Sequence, residues 1–208
     1  MSQMKSECVN DWSISLGNTT YEIVFTLQQF QEAIEHLTHA QGLEQVAFCL
    51  AKTRKRSNEV GFLIQSVLPV PSDAILVQKD YLVLIDPRFI IYVIKSCKRL
   101  NSSLILMHSH LRKATMHSYS QGDDEAERRI FTKVRERIPE QEHASVLLDG
   151  PYLLSRVWSK NEAEPIPVDT IAVVTKSTNG RRSVVKLPKI TNKFEYDSIN
   201  KLFKQMQE

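Results

Sequence analysis

Two histidines separated by one residue stand at the end of an apolar run: His108 and His110 follow Leu104, Ile105, Leu106 and Met107. In an extended strand, residues two apart project from the same face. Both imidazoles can therefore reach one cation if the strand persists through Ser109. Beyond the loop that follows, Asp123 offers a carboxylate at the start of a helix. Two His and one Asp make a typical first shell for catalytic zinc, which keeps its fourth position for water. The expected cofactor is Zn2+, about one ion per chain, held by His108, His110 and Asp123.

A zinc hydrolase needs more than ligands. Zinc lowers the pKa of a bound water to about 7, and a carboxylate must accept that water's proton and pass it to the leaving amine. A donor must also meet the oxyanion that forms. Glu44 is the candidate base, because it leads a strand that a sheet neighbour can bring beside His108. Ser120, three residues ahead of Asp123, is the candidate oxyanion donor. Each residue has an ordinary alternative: a surface His pair, a strand-edge glutamate, a loop serine, and carboxylates at a helix N-terminus that favour its macrodipole. The joint pattern, not any one residue, points to hydrolysis.

The elements that must position these residues alternate between strand and helix. Residues 12–16 and 21–25 alternate around Gly17 and Asn18, which predicts an opening hairpin. Thr26 has the form of an N-cap, and Leu27, Phe30, Ala33, Ile34 and Leu37 recur at helical spacing, so a helix should run to about His39. Residues 46–50 and 60–68 read as antiparallel strands joined by a polar tip at 54–58, and Pro69 and Pro71 end that hairpin. Residues 81–85 form another strand. Asp86 and Pro87 open a helix to about Leu100, proline being tolerated at the first helical position. The strand ending at His108 comes next, then a polar loop and a helix over 123–138. Residues 144–148 and 152–158 are strands joined at Asp149, Gly150 and Pro151. A late hairpin spans 170–174 and 183–187 about Asn179 and Gly180, and an amphipathic helix spans 194–206. The class is α+β in one domain, residues 1–208, with a mixed, mainly antiparallel sheet flanked by helices.

Composition agrees with a packed domain. At 208 residues the chain can bury a sizeable core without disulfides. Its net charge of +3 is too weak to imply nucleic acid, and the tightest basic cluster, residues 52–56, is a solvated hairpin tip or a docking patch for an acidic partner. Cys8, Cys49 and Cys97 are odd in number and form no Cys-x-x-Cys pair, which argues against a disulfide framework or a cysteine zinc site. Cys49 and Cys97 lie in apolar segments and are expected in the core. The first residues lack a signal-peptide stretch, and no run approaches the roughly 18 apolar residues of a membrane span. A reducing cytoplasm is expected.

Glu, then His-Ser-His, then Ser-x-x-Asp resembles the signature of the JAB/JAMM (MPN-domain) metalloproteases. Glu44, His108, Ser109, His110, Ser120 and Asp123 carry the match. The order of elements fits as well, most clearly over residues 26–160, with 161–208 adding a C-terminal hairpin and helix. The resemblance implies a zinc-dependent isopeptidase that cleaves bonds made by the C-terminus of a ubiquitin-like protein, in precursor processing, deconjugation or both. It implies that His108, His110 and Asp123 ligate zinc, that Glu44 activates water and that Ser120 stabilises the transition state. Ubiquitin-like proteins and their conjugates would be the partners, with activating and conjugating enzymes of the same pathway. Prokaryotic deubiquitinase-like members, including those of antiphage operons, look nearest.

The chain departs from that pattern in three places. Leu111 stands where the family usually has proline after the second histidine. Residues 111–119 form a loop read as two residues longer than usual, because the shorter register would pair Ser118 with Gln121, a poor ligand. Residues 47–51 lack the glycines common there. Two rival readings remain: a metal-free MPN scaffold, which would lack part of the catalytic set, and a small-molecule metal hydrolase, which would have a narrow closed pocket without an extended groove.

Overall fold

An eleven-stranded sheet runs through the centre of the chain, with helices on both of its faces. The computed structural model describes residues 19–39, 42–110, 117–160, 162, 164–176, 182–187, 189–190 and 193–195. In order come β1 (Thr20–Thr26), α1 (Leu27–His39), β2 (Val46–Arg56), β3 (Glu59–Pro69), a 3-10 turn (Ser72–Ala74), β4 (Ile75–Lys79) and β5 (Leu82–Ile85). Then follow α2 (Pro87–Leu100), β6 (Ser103–His110), α3 (Gln121–Arg137), β7 (His143–Asp149) and β8 (Tyr152–Trp158). The last are β9 (Ile166–Pro167), β10 (Thr170–Lys176), β11 (Arg182–Lys186), β12 (Lys189–Ile190) and β13 (Lys193–Glu195). The large sheet is ordered β11-β10-β1-β3-β2-β6-β7-β8-β13-β12, with β9 also on β8, while β4 and β5 pair apart from it. Its ladders are mainly antiparallel; β1–β3, β1–β10 and β6–β7 are parallel. The α+β class is the one expected.

Burial explains why the central strands read as continuous apolar runs. β6 and β7 are buried on both faces along nearly their whole length, as is the first half of β2. Ala47, Cys49, Ala51, Ile105, Met107, Val146 and Leu148 face the side that α1 covers with Phe30, Ala33 and Leu37. The alternate residues, Val46, Phe48, Leu50, Leu104 and Leu106, meet α2 through Val93, Ile94 and Cys97, and α3 with its C-cap through Phe131, Val134 and Ile138. Cys49 and Cys97 are free and fully buried, and burial pushes the Cys97 thiol up to about 12 and the Cys49 thiol higher still. Both behave as core packing rather than as reactive thiols.

Local chemistry sets the helix starts. Thr26 Oγ1 accepts the Gln29 N–H while the Gln29 side chain accepts the Thr26 N–H, a reciprocal capping box that opens α1. Asp86 caps α2 by accepting the Arg88 N–H at 2.8 Å, with Pro87 at the first turn and Asn101 closing the helix at φ 47°.

Several expectations need correction. β1 does not form its ladder in an opening hairpin, because β3 and β10 occupy its two edges, both parallel; residues 12–18 lie outside the described residues. β2 continues to Arg56, so the polar tip is only Ser57 and Asn58. The closing helix does not begin at 194, since Lys193–Glu195 pairs with β8 as a strand; residues 196–208 and the turn at Asn179 and Gly180 lie outside the described residues. Cys8 does too. No helix among the described residues is long and apolar enough to cross a membrane.

Candidate metal centre

Strand geometry brings the two histidines together. β6 stays extended through His110, held by β2 on one side and β7 on the other. His108 therefore falls on the face of Leu104 and Leu106, beneath α2 and α3, and His110 follows on the same face. Their ring centroids are 5.2 Å apart. The antiparallel ladder pairs Val46 with His108, so the chain one step out from β2 carries Glu44 towards His110. Ser109, on the opposite face, locks that register: its N–H donates to the Gln45 carbonyl and its Oγ accepts the Gln45 N–H, each at 3.1 Å. The Glu44 side chain is 12% exposed and its Oε1 lies 3.7 Å from His110 Nε2.

The carboxylate arrives on α3. Ser120 is the N-cap; its Oγ accepts the Asp123 N–H at 3.2 Å, and its own N–H donates to Asp123 Oδ2 at 2.6 Å. That reciprocal box turns Asp123 towards the strand. Asp123 Oδ1 is 3.1 Å from His108 Nε2 and Oδ2 is 3.3 Å from His110 Nε2. One ligand atom from each of His108, His110 and Asp123 lies within 4.8 Å of the others. These residues could bind a metal ion. The fit rests on two nitrogens and a carboxylate oxygen converging, and on His108 Nε2, which is buried without an aligned hydrogen bond.

Electrostatics concentrate negative charge there. Burial alone would raise the Asp123 carboxyl, but the adjacent His108 and His110 rings outweigh it and hold it well below the usual carboxylate range. Burial likewise lowers His110, yet Asp123, with Glu44 and Asp149 behind it, reverses the sign and raises it. Three carboxylates around two imidazoles make a setting that a cation would relieve.

Glu44, His108, Ser120 and Asp123 line one cleft of about 150 Å³. Its other walls are largely apolar, from Val46 and Leu106 of the sheet, Ile130 of α3, and Leu82, Val83 and Ile85 of β5, with Glu127 of α3 the charged exception. Four of the five residues singled out from the sequence thus share the cleft and His110 lies against Glu44 and Asp123; Ser120 with Asp123, not Ser118 with Gln121, faces the cleft. Sequence reasoning missed β4 and its anchoring role. The Glu44 N–H donates to the Lys79 carbonyl, and Gln78 Nε2 donates to the Glu44 carbonyl, so the β4–β5 hairpin holds Glu44 by its backbone. It also missed Asp149, the register partner of His110 on β7, which is buried and 3.1 Å from His117 Nδ1. A carboxylate ending the apolar stretch 144–148 was the available signal, masked because Asp149 precedes a Gly-Pro turn.

No family model and no curated protein matches the chain. Among solved structures, the solution structure of protein DSY2949 from Desulfitobacterium hafniense is 18% identical, covering 76% of this chain and 96% of that one with a TM-score of 0.45. At that distance the likeness carries no argument about function.

Proposed function

We propose that the chain is a zinc-dependent peptidase of JAB/JAMM type that cleaves the C-terminal linkage of a ubiquitin-like protein. The observation that carries this reading is the convergence of Glu44, His108, Ser120 and Asp123, from three separate segments, on one narrow cleft, with His110 Nε2 3.7 Å from Glu44 and 3.3 Å from Asp123. Zinc held by His108, His110 and Asp123 would supply Lewis acidity and a nucleophilic water at neutral pH. Glu44, largely shielded and beside His110, is placed to take a proton from a water at the cleft and return it to the leaving amine. The Ser120 hydroxyl uses a lone pair for the helix cap, which leaves its proton to meet a developing oxyanion.

The shape of the cleft supports this substrate class. At about 150 Å³ it is narrow, and what distinguishes it from the closed pocket of a small-molecule hydrolase is the strand edge beside it. Its wall is β5, which pairs only with β4 among the described residues, so its other edge can take an extended chain by strand addition. Leu76, Tyr81 and Leu84 of the same hairpin and the nearby Leu43 are exposed apolar residues that a folded partner would cover. A tail with small residues next to the scissile carbonyl suits a channel this narrow. The retained set of Glu44 and Ser120 beside the ligands disfavours a scaffold without activity.

Elemental analysis together with cleavage of a ubiquitin-like protein fused through its C-terminus to a fluorescent amine tests this reading. Wild type should carry about one zinc per chain, and His108→Ala and Asp123→Ala should lose it. Glu44→Gln keeps size and zinc but cannot accept a proton, so turnover should fall on the order of 10² or more. Full zinc occupancy in both ligand variants, or wild-type turnover in Glu44→Gln, would overturn the assignment.

A further inference from the structure

The first turn of α3 carries both Ser120 and Asp123, yet it has no apolar anchor. Residues 121–126 are exposed or half-buried, and the apolar contacts of the helix begin further on, at Ile130, Phe131 and Val134. What holds the turn is polar, and it comes from β8. Arg156 Nη1 donates to Asp124 Oδ1 at 2.5 Å and its Nε donates to Glu127 Oε2 at 3.0 Å. Its guanidinium carbon sits 3.7 Å from the centre of the Tyr119 ring, close enough for a cation–π contact. One side chain thus touches the residue before the N-cap, the residue after Asp123, and the residue one turn beyond it.

The other partners fix the clamp to the sheet. Glu127 is 1% exposed, and its Oε2 also accepts the Ser145 hydroxyl from β7 and the Trp158 indole N–H from β8, each at 2.7 Å. The Tyr119 hydroxyl donates to the Leu154 carbonyl at 3.1 Å. An aspartate is short, so a shift of about 1 Å in the helix start would take its carboxylate away from the histidines. A planar guanidinium with several donors holds two carboxylates and an aromatic face at fixed angles, which a lysine ammonium cannot do.

We propose that Arg156 is a positioning residue for the metal centre, setting with Glu127 the depth and rotation of the α3 start that presents Asp123 and Ser120 to His108 and His110. The proposal rests on the metal reading for its purpose, but its geometry can be tested without metal. Two variants of the full chain serve. Arg156→Lys keeps the buried charge balance. The double variant Arg156→Met with Glu127→Gln removes both buried charges, an exchange that buried ion pairs often tolerate. Zinc affinity is read by competition with a chelator, and amide hydrogen exchange of residues 121–137 is read on the metal-free chain. Both variants should keep the slow exchange of residues 131–137, gain faster exchange at 121–127, and bind zinc about 10–100-fold more weakly, the usual effect of losing an outer-shell support. A folded variant with wild-type exchange and wild-type zinc affinity overturns the proposal. So does loss of protection throughout α3 in both variants, which would make Arg156 a residue of the fold alone. A wild-type chain that takes up no zinc overturns the metal reading, while the exchange measurement still decides whether Arg156 holds the turn.

Discussion

Ser120 serves two purposes at one oxygen. It caps α3 by accepting the Asp123 N–H, and it faces the cleft between Glu44 and Asp123. A hydroxyl can do both because it has two lone pairs and a proton of its own. Ser120→Ala should therefore cost about 1 kcal/mol of stability, as lost caps do, and in addition a factor on the order of 10²–10³ in kcat with zinc saturating. Ser118 is exposed and lines no part of the cleft, so Ser118→Ala should keep wild-type kcat. Comparing kcat of the two variants on one fusion substrate is the measurement. A crippled Ser118→Ala beside a healthy Ser120→Ala would shift the loop register by two residues and remove Asp123 from the ligand set. These residues were legible in the sequence because the spacing that does the chemistry is local: His-x-His lies within one strand and Ser-x-x-Asp within one helical turn. Asp149 and His117 were not, because Asp149 meets His110 only through pairing of β6 with β7 and His117 meets Asp149 rather than the histidine pair, and neither contact has a fixed spacing.

At the scale of elements, the candidate base depends on a residue that does no chemistry. Ser109 points away from the metal face and is fully buried, where its Oγ accepts the Gln45 N–H. Ser109→Ala would leave that buried N–H unpaired, a loss of about 1–3 kcal/mol. It would also loosen the backbone that delivers Glu44, while β2 and β7 continue to hold the two histidines. Equilibrium denaturation should show the loss of stability, zinc content should stay at wild type, and turnover should fall. Unchanged stability would show that water or a rearranged backbone satisfies Gln45 and that the bridge positions nothing. The helices and most strands were readable from caps and periodicity: Thr26 and Asp86 each mark a helix start. β4 was not, because its five residues lie beyond two prolines and, among the described residues, pair in a ladder only with β5. The parallel place of β1 was hidden too, since its partners at Glu59 and Thr170 are set by tertiary packing rather than by a turn.

At the scale of the whole molecule, His143 shows what burying a titratable ring implies for pH. It is fully buried at the start of β7, its Nδ1 accepts the Leu104 N–H at 3.0 Å, and its ring stacks on Phe131. Burial, helped by the positive charge of Arg135 and opposed by the Ile138 carbonyl, lowers its pKa from 6.5 to about 4. The folded chain therefore holds His143 neutral where the unfolded chain would protonate it. Its contribution to stability is complete above pH 6.5 and is lost as the pH falls towards 4, with a slope of at most about 1.4 kcal/mol per pH unit. His110 works in the opposite direction in the metal-free chain, because its raised pKa favours the folded state as it protonates. A melt of wild type alone would mix the two. The difference between wild type and His143→Gln, measured by denaturant unfolding at steps between pH 7 and 4, isolates the buried ring, since every other group titrates in both chains. Wild type should lose stability relative to His143→Gln steadily through that window. Parallel curves would mean that His143 takes up its proton without disturbing the junction of β6, β7 and α3.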